Sequence, residues 1–243
     1  MKAVITAAGL GTRFAPVSKV IPKEMLPIGS KPALELIVDE ARAAGVDGII
    51  MVISRQKMMI REYFSDFSDI SFVYQEEQLG LGHAVLQART DDDILVLLGD
   101  ALVHGCNAAS EMVKISQENG GASVIGLERV PLEKTSRYGI VKCDEIKQSN
   151  SSVVINDMVE KPSPEDAPSN LAVAGRYLLN KEIFNILDHQ KPGKNGEIQL
   201  TDSIAKMARE NSPGSVMGYV YNGRRCDIGN PEGYYQALTV FRG

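Results

Sequence analysis

The chain has 243 residues, 44% of them hydrophobic, which suits one large α/β domain with a sizeable buried core. Its formal net charge of −5 argues against a general nucleic-acid or membrane surface. Cys106, Cys143 and Cys226 are odd in number and widely spaced, which suits free thiols in a reducing, cytoplasmic setting and argues against a disulfide framework or zinc site. The opening MKAVITAAGLG has no apolar stretch of signal-peptide length, and no run approaches transmembrane length.

In chain order, apolar runs predict strands at 3–6, 49–53, 72–74, 94–98 and 123–127. Helix-like stretches lie between them at 33–44, 57–64, 82–89 and 107–119. In the first, Leu34, Ile37, Val38 and Ala41 share one face, and Gly45 ends it. Strands alternating with helices imply crossover units and a mostly parallel sheet covered on both faces. The pattern changes after residue 138. Strands are expected at 138–142, 153–160 and 171–179, with a turn at Ser149–Ser152 and a loop at 163–168. Helices return at 180–189 and 198–210, then a strand at 215–220 and a final helix at 231–241. No linker interrupts the chain. The expected organisation is a single domain over 1–243, with one half at about 1–130 and the other at about 131–243.

The first loop carries the strongest chemistry. After the strand at 3–6, Gly9 and Gly11 allow a tight turn and close approach of main-chain N–H groups to an anion. Arg13, Lys19 and Lys23 follow, while prolines at 16, 22 and 27 forbid a regular helix. A strand, a glycine turn and a cationic loop at the strand's carboxyl end make a polyphosphate site. The dinucleotide fingerprint fails because its third glycine is missing, and no G-x-x-x-x-G-K-[ST] run exists. Asp100 ends the run Ile94–Gly99 and emerges at a buried strand's carboxyl end, where a carboxylate can hold a magnesium ion. An isolated Gly-Asp is more commonly an Asx turn or a cap.

The run G-x-G-T-R, followed ten residues after the arginine by the lysine of P-K-E-M-L-P, resembles the signature of the sugar-1-phosphate nucleotidyltransferases. The PKEMLP spelling is similar to that of the bacterial-type UTP–glucose-1-phosphate uridylyltransferases. The likeness continues through Gln75…Gly80-Leu-Gly-His, Gly99-Asp100, Tyr138-Gly139, Val159-Glu160-Lys161-Pro162, Gly175-Arg176-Tyr177, Gly196-Glu197-Ile198-Gln199-Leu200-Thr201-Asp202 and Cys226-Asp227-x-Gly229-Asn230. It spans nearly the whole chain, in order.

The resemblance implies a Rossmann-like α/β fold with a central mixed, mostly parallel sheet. It implies a nucleotide-binding first half, a sugar-binding second half, and uridylyl transfer from UTP to glucose 1-phosphate with release of pyrophosphate. Arg13 would hold the β,γ-phosphates and Lys23 would sit nearer the α-phosphate; Lys19 is either a surface cation or a lesser phosphate contact. Ala8, Gly9, Gly11, Thr12, Gln75 and Gly80 would bind the nucleotide, the Gln75 amide suiting the donor and acceptor edge of uracil. Gly139, Glu160, Lys161 and Gly175 would bind the sugar phosphate. Asp100 and Asp227, the latter matching the family's second ligand position, would hold Mg2+. Glu197 either closes on the same pocket or caps the helix that follows, and His83 reads as structural.

The nearest alternative keeps the reaction with dTTP or another hexose 1-phosphate; another is a catalytically idle nucleotide-sugar-binding regulatory module. The resemblance also implies longer members with a helical insertion between the segments matching Phe64 and Val73, where this chain has only eight residues, and with a longer C-terminal tail. Homo-oligomerisation is therefore an expectation without a defined state.

Overall fold

The computed structural model describes residues 1–143 and 151–241. Ser149 and Asn150 of the expected turn lie outside them. Strand β1 (Lys2–Thr6) is followed by three 3₁₀ turns, Thr12–Phe14, Val17–Lys19 and Lys23–Met25, and by a small hairpin of β2 (Pro27–Ile28) and β3 (Lys31–Pro32). Pro16 and Pro22 each sit just before a turn, so the cationic loop is broken into short pieces and forms no helix. Helix α1 (Ala33–Ala43) buries Ala33, Leu34, Ile37, Val38 and Ala41, the face its spacing predicted.

The chain continues through β4 (Ile49–Ile53), α2 (Met58–Tyr63), β5 (Ile70–Tyr74), α3 (Leu81–Gln87), β6 (Ile94–Leu98) and β7 (Ala101–His104). Next come α4 (Ala108–Glu118), β8 (Ser123–Arg129), β9 (Gly139–Cys143), β10 (Ser152–Glu160) and β11 (Leu171–Leu179). The last elements are α5 (Ile183–Asp188), α6 (Leu200–Glu210), β12 (Val216–Val220), β13 (Arg224–Asp227) and α7 (Pro231–Val240).

Among the described residues, nine strands form one mixed sheet in the order β5-β4-β1-β6-β11-β8-β12-β10-β9. From β5 to β6 every neighbour is parallel. Beyond β6 only β8 and β12 pair in parallel, and the other pairs are antiparallel. The mostly parallel expectation thus holds for the first half and is corrected for the second. The reason lies in the pairing: β10 runs antiparallel to β9, and among the described residues no helix stands between β10 and β11, so these strands form no helical crossover unit there.

Alternate residues of the central strands feed two cores. Ile5, Leu95 and Leu97 pack on one face with Ile37 of α1, Met112 of α4 and Ala237 of α7. Val4, Ile94 and Val96 pack on the other with Val85 of α3, Phe184 of α5 and Ile204 of α6. Each such side chain contributes about 1.5–3 kcal/mol on full burial. A charge is also buried among them. Arg176, in the middle of β11, is 0% exposed and donates to Glu40 of α1 at 2.9 and 2.7 Å and to the Ala101 carbonyl at 2.7 Å.

Two short strands decide where the site forms. β7 and β13 pair antiparallel with Asp227 opposite Ala101, and the Ile228 N–H donates to the Asp100 carbonyl at 2.9 Å. That ribbon brings a residue from near the chain's end beside the carboxyl end of β6.

Candidate active site

Two cavities open side by side beyond the carboxyl end of β6, where Leu98 and Asp100 line both. The first, about 300 Å³, is lined by Ala8 and Gly9 after β1, Lys23 and Glu24 of the third turn, Gln75 after β5, Gly80 before α3, and Asp100. Gln75 is 4% exposed; its Nε2 donates to the Gly80 carbonyl at 3.1 Å and stands 3.1 Å from His83 Nδ1. His83 thus stands directly against the amide. Gly80 has φ +98°, and a Cβ there would stand 2.8 Å from the Ile198 carbonyl oxygen, so only glycine lets this wall close.

Beneath that cavity lies a chain of alternating charge. Lys23 Nζ donates to Asp100 Oδ2 at 2.6 Å and stands 3.1 Å from Glu24 Oε1. Glu24 in turn accepts from Lys57 Nζ at 2.8 and 2.9 Å. Burial opposes the charge on Lys23, but Asp100 and Glu24 outweigh it and raise its pKa above the ordinary lysine value. Burial also opposes the charge on Asp100; there Lys23 and then Arg13 win and hold the carboxyl below its usual range.

The second cavity, about 320 Å³, is lined by Arg13, Asp100, Gly139, Glu160, Lys161, Gly175 and Asp227, among others. Glu160 Oε2 accepts from Thr201 Oγ1 at 2.8 Å, and Oε1 stands 3.0 Å from Lys161 Nζ. Gly139 faces Glu160 in register, and a Cβ there would meet Thr201 Oγ1 at 2.9 Å. Gly175 sits at an irregularity of β11 with φ +79°, and a Cβ there would press on Leu98 at 3.0 Å.

Arg13, Asp100 and Asp227 converge on Gly229. A Cβ on that glycine would lie 2.7 Å from Arg13 Nη2, 2.7 Å from Asp227 Oδ1 and 3.0 Å from Asp100 Oδ2. Among the described residues no group of three or more His, Cys, Asp or Glu could hold a metal ion. Two carboxylates beside two cavities nevertheless fit a magnesium-like ion, which takes one or two carboxylates and completes its shell with other oxygen ligands and water.

Of the sequence-predicted residues, Ala8, Gly9, Lys23, Gln75 and Gly80 line the first cavity, Gly139, Glu160, Lys161, Gly175 and Asp227 the second, and Asp100 both. Gly11, Thr12 and Lys19 line neither cavity; Gly11, at φ +65°, serves to turn the chain into the first 3₁₀ turn. Arg13, expected on the nucleotide, lines the second cavity, where it faces both carboxylates. Glu197 lines both cavities and does not cap α6, whose N-cap is Gln199. Sequence reasoning missed Lys57, Arg137 and Arg225. Arg225 lies two residues before Asp227 on β13, and strand alternation puts both on the same wall. Its Nε donates to Glu128 at 2.5 Å and its guanidinium covers the Tyr138 ring at 4.9 Å.

The two adjoining cavities thus meet at a junction of cations and paired carboxylates, Arg13, Lys23, Asp100 and Asp227. The chain belongs to the nucleotidyl transferase family, whose model matches residues 2–241. It is 41% identical to the UTP–glucose-1-phosphate uridylyltransferase of Staphylococcus haemolyticus, covering 99% of this chain and 91% of that protein. It also resembles a UDP-glucose pyrophosphorylase solved with UDP-glucose, with a TM-score of 0.90, 37% identity, and 99% and 97% of the two chains covered. A UTP-bound UGPase from Acinetobacter baumannii superimposes with a TM-score of 0.82 at 36% identity, over 98% of this chain and 92% of that one.

Proposed function

We propose that the protein transfers a uridylyl group from UTP to glucose 1-phosphate, forming UDP-glucose and pyrophosphate. The observation that carries this reading is the junction: Asp100 lines both cavities and shares a contact point with Asp227 and Arg13. The uridylyltransferase relatives over nearly the whole chain support the choice of substrates. In this reading the half at about 1–130 takes UTP, through Ala8, Gly9, Gln75 and Gly80, with Gly11 and Thr12 shaping the loop. The half at about 131–243 takes the sugar phosphate, through Gly139, Glu160, Lys161 and Gly175.

The attacking phosphate oxygen is already anionic at neutral pH, since a monoester's second pKa is about 6, so no general base is required. The protein's task is to bring two polyanions into line and to neutralise charge moving onto the leaving pyrophosphate. Lys23 stands at the nucleotide cavity and Arg13 at the junction, as catalytic cations of that task. Asp100 and Asp227 would hold Mg2+, which when bound neutralises charge on both substrates. Action in the cytoplasm and assembly into a homo-oligomer belong to the same reading. Among the described residues all three cysteines are free thiols, and no helix is long and apolar enough to cross a membrane.

The test is pyrophosphate release across a panel of nucleoside triphosphates and sugar 1-phosphates, with and without magnesium. The reading requires UTP with glucose 1-phosphate to be the fastest pair and magnesium to be necessary. Faster turnover with dTTP or another hexose phosphate would reassign the substrates.

A further inference from the structure

Lys57 occupies a place that should be unfavourable for a lysine. It ends the 3₁₀ turn Arg55–Lys57 after β4, its side chain is 9% exposed, and it lines neither cavity. A buried ammonium costs several kcal/mol unless its hydrogens are matched. Here they are matched: Nζ donates to the Ala7 carbonyl at 2.8 Å and to Glu24 Oε1 and Oε2 at 2.8 and 2.9 Å. Burial still pulls its pKa below the ordinary lysine value, against the attraction of Glu24.

Both groups that Lys57 holds lead to the nucleotide cavity. Glu24 Oε1 also receives Lys23 Nζ at 3.1 Å, and Lys23 continues to Asp100 Oδ2 at 2.6 Å. The Ala7 carbonyl belongs to the same planar trans peptide as the Ala8 N–H, so fixing one direction fixes the other to the opposite side. Ala8 lines the cavity; Lys57 approaches from behind it. The loop that carries Lys23 consists of short 3₁₀ turns with little rigidity of their own, and the Lys57–Glu24 pair ties it to the turn after β4.

We infer that Lys57 is a positioning residue for the transfer reaction: through Glu24 it sets where the Lys23 ammonium stands, and through the Ala7 carbonyl it turns the Ala8 N–H toward the nucleotide. The inference rests on the roles proposed above for Lys23 and Ala8.

Three variants of the full chain test it: Lys57→Met, Glu24→Gln and the double variant. In Lys57→Met, kcat should fall about tenfold or more and the KM for UTP should rise, with the KM for glucose 1-phosphate little changed. Tm should also fall, because Glu24 loses a buried partner. The double variant removes both charges and should regain much of that Tm, yet its kcat should stay low. A double variant that regains both Tm and kcat would reduce the pair to a structural one and overturn the inference. So would Lys57→Met with wild-type kcat. A second readout needs no turnover: the ¹⁵N signal of the Lys23 ammonium, identified by its loss in Lys23→Arg, should shift in Lys57→Met. An unmoved Lys23 signal overturns the inference whatever the substrate proves to be. Failure of the wild type to release pyrophosphate from UTP would instead overturn the functional reading alone.

Discussion

Lys23, Glu24 and Gln75 meet the first cavity, proposed for the nucleotide, as buried side chains already fixed by protein partners, at 6%, 1% and 4% exposure. Glu160 and Lys161 meet the second cavity, proposed for the sugar phosphate, differently, as sequence neighbours at the end of β10, with the Lys161 side chain 36% exposed. Lys161 also holds φ at +48°, a left-handed conformation that costs a β-substituted residue about 1–2 kcal/mol. The first cavity grows from parallel strands whose carboxyl ends share one edge. The second grows from antiparallel strands and the β7–β13 ribbon. The difference teaches that the first cavity offers a preset surface, whereas Glu160 and Lys161 at the second hold each other and can trade that contact for a ligand; in the proposed reading these take UTP and the sugar phosphate respectively.

The sharpest way to break this division is to cut what joins the halves. Arg176 of β11 reaches Glu40 of α1 and the Ala101 carbonyl, so it ties the second half to the first just behind Asp100. Arg176→Met should destabilise the fold by about 3–5 kcal/mol, because Glu40 is left without its buried counter-charge. Denaturant unfolding should stay a single transition displaced to lower midpoint. Two transitions would mean that the halves fold separately.

Next in size is the junction itself. Asp100→Asn and Asp227→Asn should each lower kcat on the order of 10²–10³-fold with the fold retained. The double variant should be little worse than either single one, because in the proposed reading both carboxylates serve one ion. Chelation of divalent metal should reproduce the loss in the wild type and add little in the variants. Near-normal magnesium-dependent turnover in Asp227→Asn would break the two-carboxylate site.

The nucleotide side yields a smaller but more selective effect. Lys23→Ala should reduce kcat about a hundredfold and weaken UTP binding much less, because its contact strengthens as charge moves in the transition state. Lys19 is exposed and lines neither cavity, so Lys19→Ala should stay close to wild type. Matched steady-state kinetics and direct UTP titration separate the two; equal losses would mean that the wrong lysine was assigned.

The sequence carried most of this architecture because the central strands are apolar enough to announce themselves. The spans expected at 49–53, 94–98 and 171–179 coincide with β4, β6 and β11. The β7–β13 ribbon stayed hidden. Its strands read ALVH and RRCD, too short for a period, and their partners lie more than a hundred residues apart. The buried charges were hidden for another reason: a lysine or glutamate on paper reads as surface until its partner is known. Glu24 lay inside the quoted PKEMLP and Arg176 inside an otherwise apolar nine-residue strand, and that second placement was a usable signal.

The smallest effect bears most directly on the contrast between the cavities. Glu160 Oε2 already receives the Thr201 hydroxyl and Oε1 faces Lys161, so the carboxylate is oriented but not closed off, at 12% side-chain exposure. Its backbone is held by the register with Gly139, which fixes the direction of approach to a sugar ring. A carboxylate in that position bridges two neighbouring hydroxyls only when their geometry fits. Inverting one hydroxyl leaves a polar group unpaired and costs about 1–3 kcal/mol, so glucose 1-phosphate should be preferred over galactose 1-phosphate. Glu160→Ala should raise the KM for glucose 1-phosphate about tenfold, leave that for UTP much less changed, and narrow the preference between the two sugars. Lys161→Ala should weaken both sugar phosphates alike, because an ammonium reads their common phosphate as a point charge. A matched kinetic series of both variants on both sugars decides it: unchanged KM and unchanged preference in Glu160→Ala would remove that residue from the sugar cavity and leave the second half without its proposed reader.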